Sequence, residues 1–127
     1  MSYIYYNPNP YLKATSDCTV RAFTKVFNRS WDEMYTALTA KGFELKEMPS
    51  SNNVWRMFLL EHGFRRYYIP DNFRCSYSVR EFCNDHRIGT FLLFVGEHVI
   101  AVVDGDYFDT FDSGHECPTF YWEKGDR

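Results

Sequence analysis

Cys18 follows Asp17 at the point where an apolar face at helical spacing begins, carried by Val20, Phe23, Thr24 and Phe27. A thiol at a helix start meets unpaired backbone amides and the positive end of the helix dipole. Both favour the thiolate, which is the nucleophilic form. Cysteine is also a small buried hydrophobe in many cores, so nucleophilic chemistry here requires a base. His62 and His86 fall near helix C-termini, where the dipole suits a histidine, and His115 falls in a polar loop. His98 alone falls on a predicted strand, just after Val95-Gly96-Glu97. From a sheet edge its imidazole can reach a helix end packed against the sheet.

A general base needs a partner for its second ring nitrogen. Asp109 and Asp112, on the strand returning from Asp104-Gly105-Asp106, are the candidates. If those three residues form the loop, Val103 pairs with Tyr107 and His98 lies directly opposite Asp112, sharing its face. With a two-residue turn the register slips by one, and His98 faces Asp109 or Phe111. We take Asp112 as the preferred partner and Asp109 as the alternative. Asp112-Ser113-Gly114 also suits an ordinary turn.

Other chemistries find less support. Cys83 and His86 are three apart, and His115 and Cys117 two apart, but zinc needs four converging ligands and the chain has no paired CxxC. No glycine-rich phosphate loop is present. We therefore expect neither metal nor cofactor.

The 127 residues suit a single domain, 1–127, and 45% hydrophobic with 24% charged residues is an ordinary globular balance. Lys+Arg 14 against Asp+Glu 17 gives net −3, without the basic stripe that nucleic-acid binding normally requires. The Arg65-Arg66 pair beside Tyr67-Tyr68 reads as a solvated strand edge. The N-terminal residues lack a signal-peptide pattern, and Phe91-Leu92-Leu93-Phe94-Val95 falls far short of the roughly 20 residues of a membrane span. The expectation is a soluble cytoplasmic protein whose Cys18, Cys75, Cys83 and Cys117 stay free thiols. Aromatic residues, at 20% of the chain, exceed what the core needs and leave some for a groove or partner.

Several elements must position these residues. Residues 1–16 form an extended aromatic arm held open by Pro8 and Pro10. Helices are expected from about Asp17 to Asn28, from the Ser30-Trp31-Asp32-Glu33 capping box to Gly42, after Asn53 to His62-Gly63, and from a second box at Ser78-Val79-Arg80-Glu81. Strands are expected at Phe64–Ile69, Phe91–Val95, Val99–Val103, Tyr107–Phe111 and Thr119–Trp122. Helices first and antiparallel strands second make an α+β fold, with N-terminal helices packed on a C-terminal antiparallel sheet.

Asp17-Cys18-Thr19-Val20-Arg21-Ala22 resembles the nucleophile segment of papain-like cysteine peptidases, most closely the branch that cleaves bacteriocin leaders after double glycine. His98-Val99-Ile100-Ala101-Val102-Val103, a turn, and Phe111-Asp112-Ser113 resemble that branch's histidine and aspartate strands. Together with Ser30-Trp31-Asp32-Glu33, these segments are similar to small bacterial and bacteriophage proteins of the superfamily, over roughly positions 7 to 123. The resemblance implies a papain-like fold and a cytoplasmic thiol hydrolase, a peptidase or amidase of a peptide or protein substrate. Cys18, His98 and Asp112 would be its triad. Papain-like enzymes carry an oxyanion-binding glutamine shortly before the cysteine, where this chain has Tyr11-Leu12-Lys13-Ala14. The Cys18 amide with Asn7, Asn9 or Lys13 would then supply the donors, and loss of one donor costs about 10²–10³ in rate. Asn7, Lys13, Asp17 and Trp122 are the expected binding residues, with Tyr5 and Tyr6 beside Trp122 lining the groove. The alternative is a weak or inactive scaffold that binds or inhibits a host protein. No nucleic acid or membrane partner is expected.

Overall fold

The two capping boxes fix where two helices begin. In the computed structural model, which describes residues 2–70 and 72–125, Ser30 Oγ accepts from the Glu33 amide while Glu33 Oε1 accepts from the Ser30 amide, each at 3.0 Å. Ser78 and Glu81 repeat the exchange at 3.2 and 2.9 Å. Each exchange satisfies two amides that a helix start leaves without partners. The elements run β1 (Tyr3–Tyr5), α1 (Cys18–Phe27), α2 (Trp31–Leu45), α3 (Asn52–Glu61), β2 (Phe64–Tyr68), a 3₁₀ turn (Asn72–Arg74), α4 (Val79–Asp85), β3 (Thr90–Val95), β4 (His98–Val103), β5 (Asp106–Asp109) and β6 (Phe120–Lys124). Met1, Asp71, Asp126 and Arg127, all inside the expected domain bounds, lie outside the described residues.

α2 does not stop at Gly42 but runs to Leu45 and ends on Lys46 in the left-handed conformation, φ 59°. Gly42 is needed one turn earlier. The Glu47 amide returns to the Gly42 carbonyl at 2.9 Å, and a Cβ on Gly42 would stand 2.7 Å from the Glu47 carbonyl oxygen.

The strands form one six-stranded sheet in the order β1-β5-β4-β3-β6-β2. Every pairing is antiparallel except β1 with β5, which is parallel. The aromatic arm thus enters the sheet as an edge strand. At the opposite edge β2 exposes Arg65 and Arg66, with the Arg66 guanidinium over the Tyr68 and Trp122 rings at 5.1 and 5.6 Å. Charge on an edge discourages strand addition.

The sheet is covered on both faces. Leu92, Phe94, Val99 and Ala101 pack with Phe23, Val26, Met34, Leu38, Phe58 and Leu59 of α1 to α3. Phe91, Leu93, Ile100 and Val102 pack with Val79, Phe82 and Cys83 of α4. Alternate residues of β3 and β4 thereby serve opposite cores. Each large side chain buried this way contributes about 1.5–3 kcal/mol. The mixed α+β expectation holds, but only α1 to α3 share a face.

Cys75 and Cys117 are joined in a disulfide, which corrects the expectation of four free thiols and leaves Cys18 and Cys83 free. Fold topology brings together loops 42 residues apart in sequence. The buried Asn72 staples the same loops, donating to the Tyr77 carbonyl at 2.9 Å and to that of Pro118, and accepting from the Ser76 and Tyr77 amides. With Cys117 in that bond, the His115/Cys117 zinc pairing has lost its thiolate. Among the described residues no helix is long and apolar enough to cross a membrane.

Candidate active site

Asp17 occupies the N-cap of α1 but makes no capping hydrogen bond. Its carboxylate turns inward instead. Oδ2 accepts from the Trp31 indole nitrogen at 2.9 Å and from Asn9 Nδ2 at 3.5 Å, and Oδ1 pairs with Arg21, one helical turn along. The head of α1, with Cys18 as its first residue, keeps its leading amides free of any side-chain cap.

On the sheet side, Asp104 and Gly105 both take positive φ, 50° and 84°, and form a two-residue turn. Val103 therefore pairs with Asp106, one residue out of the preferred register. That slip decides the partner of the histidine. His98 Nε2 donates to Asp109 Oδ2 at 2.6 Å, while the Phe111 ring stacks on the imidazole at 5.2 Å. Asp112, the preferred partner from sequence, is corrected to a different role. It accepts from the Tyr107 hydroxyl and the Gly114 amide and pairs with Arg80 of α4 at 3.1 Å.

Asp109 is almost fully buried, and donors surround its carboxylate. Ser113 Oγ donates to Oδ2 at 2.8 Å, the Thr110 amide donates to Oδ1 at 2.8 Å, and Arg21 approaches Oδ1 at 3.5 Å. Arg21 thus joins Asp17 beneath Cys18 to Asp109 behind His98. Sequence reasoning passed over Arg21 and Ser113. The Asp17/Arg21 spacing of i, i+4 was a visible signal for the first pairing; nothing local marks Ser113.

The half-buried Cys18 lies beside this assembly, its thiol donating to the Glu97 carbonyl at 3.7 Å. Burial pushes the Cys18 thiol up, but hydrogen bonds with His98 and the Val99 backbone, and the charges of His98 and Arg21, outweigh it. The thiol sits below its ordinary value. Burial pushes His98 down, but hydrogen bonds and charge from Asp109 and Cys18 raise it from 6.5 to about 9. Burial likewise raises Asp109, and its bonds with His98, Ser113 and Thr110 leave it below the ordinary carboxylate value. With Nε2 held by Asp109, Nδ1 is the ring nitrogen left for the thiol.

Cys18 and His98 open onto a groove of about 1180 Å³, lined also by Asn7, Lys13, Tyr5 and Phe111. Asn7, Lys13 and Tyr5 thus stand on the groove wall. Asn9 is not, because its side chain is buried against Asp17. Trp122 is corrected outright. It sits 3% exposed in the core on β6, a strand flanked on both sides. The Tyr6 hydroxyl bonds Thr24 at 2.7 Å, and Tyr6 is not among the groove's lining residues. Among the described residues no group of three metal-ligating side chains converges.

No protein-family model matches the chain, and no curated protein or solved structure is significantly similar to it. Its chemistry must be read from the site itself.

Proposed function

We propose that the protein is a papain-like cysteine hydrolase, a peptidase or amidase whose triad is Cys18, His98 and Asp109. What supports this reading is His98, held at 2.6 Å by the buried Asp109 carboxylate, sharing one groove with a Cys18 thiol at the head of α1 that it helps to lower. With the thiol lowered from its ordinary 9.0 and the imidazole raised to about 9, the pair is shifted toward thiolate and imidazolium.

The Cys18 thiolate attacks the carbonyl carbon of a bound amide, forming the C–S bond and placing the electron pair on oxygen. The Cys18 amide, at the uncapped head of α1, would donate to that oxygen, with Lys13 or Asn7 from the groove wall as the second donor. Collapse breaks the C–N bond as His98 gives its proton to the leaving amine. Water, deprotonated by His98, then releases the acid and regenerates the thiolate. Asp109 holds the ring in one tautomer and stabilises its charge throughout.

A second reading, a scaffold that binds a host protein, is favoured by the arm, where Tyr11 is 83% and Leu12 73% exposed. The two readings separate on Cys18→Ala, which abolishes the biological effect of a hydrolase and leaves that of a scaffold. The direct test of the first is the rate at which iodoacetamide labels Cys18 at pH 7. Labelling well above that of a free model thiol, falling on His98→Ala, supports it; labelling at the model rate overturns it.

A further inference from the structure

Behind the segment from Lys13 to Ser16 lies a second cavity of about 540 Å³. It shares Lys13, Thr15, Ser16, Thr19, Ser50 and Trp55 with the groove that holds Cys18. The first turn of α1 divides the two, with Cys18 on the groove, Asp17 on the cavity and Thr19 on both. The shared residues set the cavity directly beside the groove, next to a substrate whose carbonyl lies at the thiol.

The chemistry of the walls says what enters. Trp31 and Trp55 each carry one polar group, and each is tied back into the protein. The Trp31 indole nitrogen donates to Asp17 and that of Trp55 to the Pro49 carbonyl, both at 2.9 Å. Tyr35, half exposed, stacks on Trp31 at 5.0 Å between ring centroids. Val20 and Leu38 add aliphatic surface. The indoles thus offer ring surface and no free donor. A volume of this size is in the range of small-ligand sites, and ring surfaces favour another ring in offset or edge contact.

We propose that this cavity is a specificity subsite that takes an aromatic side chain of the substrate, set beside the residue whose carbonyl Cys18 attacks. The proposal rests on the cysteine-hydrolase reading above. Trp31, Tyr35 and Trp55 make the contact, and Lys13, Thr15, Ser16, Ser50 and Trp55 form the rim shared with the groove.

The test uses two thiol-reactive probes on the full chain, N-ethylchloroacetamide and its indolylethyl counterpart. In each the thiolate displaces chloride, forming a C–S bond as the C–Cl bond breaks. Cys18 labelling by each is divided by its iodoacetamide rate in the same variant. The indole probe is expected to label the wild type about tenfold faster or more, with saturation. That ratio should collapse toward one in Thr39→Trp, which fills the cavity from the exposed face of α2, and fall in Tyr35→Ala. A second measurement needs no reactive thiol. In Cys18→Ala, N-acetyl-L-tryptophan amide should shift the indole N–H resonances of Trp31 and Trp55 saturably, and Thr39→Trp should abolish the shift. A wild-type ratio near one, or a ratio unchanged by Thr39→Trp, overturns the subsite while rapid iodoacetamide labelling leaves the hydrolase reading standing. A Cys18 no more reactive than a model thiol brings down the hydrolase reading, and with it the cavity's role toward substrate, even if the indole shifts persist.

Discussion

His98 meets Asp109 on a diagonal across the β4–β5 hairpin, Nε2 to Oδ2 at 2.6 Å, and not the residue directly across from it. Extending the observed register sets Phe111 opposite His98. The aromatic ring therefore covers one face of the imidazole while the carboxylate two residues earlier holds its edge.

That geometry separates two aspartates three residues apart. Asp109→Asn should lower turnover by about 10²–10⁴ by removing the charge behind the imidazolium and its tautomer control. Asp112→Asn, altering a carboxylate that serves Tyr107 and Arg80, should leave turnover within about threefold of wild type, as for an ordinary surface change. A loss in Asp112→Asn larger than in Asp109→Asn in steady-state assays would return the triad to Asp112.

The pH dependence has a definite sign. His98 is raised in the folded state, so its stabilising contribution is complete below its ordinary 6.5 and is lost as pH rises through about 9. The melting-temperature advantage of the wild type over His98→Gln should shrink across that window. Cys18 is lowered, so its alkylation should rise with pH at an inflection below the ordinary 9.0, and His98→Gln should move that inflection up. An unmoved inflection would separate the thiol from the histidine.

Arg21 lies between two buried carboxylates, Asp17 and Asp109. Arg21→Met leaves both without their shared cation, and breaking a buried pair in this way costs about 3–5 kcal/mol. Urea unfolding should show the loss as a lower midpoint with an unchanged slope.

The disulfide predicts a labelling count. Denatured but unreduced protein should take up two carbamidomethyl groups, on Cys18 and Cys83. Closing a loop with a sequence separation of 42 stabilises by about 4 kcal/mol in the chain-entropy description. Cys75→Ala with Cys117→Ala should lower stability toward that amount and leave Cys18 alkylation unchanged.

Much of the fold was legible because its signals are local. Both capping boxes stand in the sequence as Ser and Glu three apart, and both form as expected. The apolar run Phe91–Val95 reads as a strand, and β3 forms there, with α4 covering its second face. The misread register came from counting Asp106 into the turn, although Asp104-Gly105 alone is the dipeptide that a tight hairpin favours. A one-residue slip then moved the site from Asp109 to Asp112. Trp122 was misplaced for a different reason. Clustering near a chain terminus says nothing of exposure when the last strand runs between two others. The parallel pairing of β1 and the Cys75–Cys117 bond depend on contacts between segments distant in sequence, which no local pattern encodes.

The arm's place in the sheet has a practical consequence. β1 covers the outer edge of β5, and the Tyr6 amide and Tyr3 hydroxyl both donate to the carbonyl of Asp109, at 2.8 and 3.2 Å. Trimming the first six residues would strip that cover and leave the strand carrying Asp109 with unpaired backbone groups facing water, a template for another chain. A shortened protein could then lose activity by self-association, with Cys18 and His98 untouched. Assays of N-terminal truncations therefore need a light-scattering control before any lost activity is assigned to the groove.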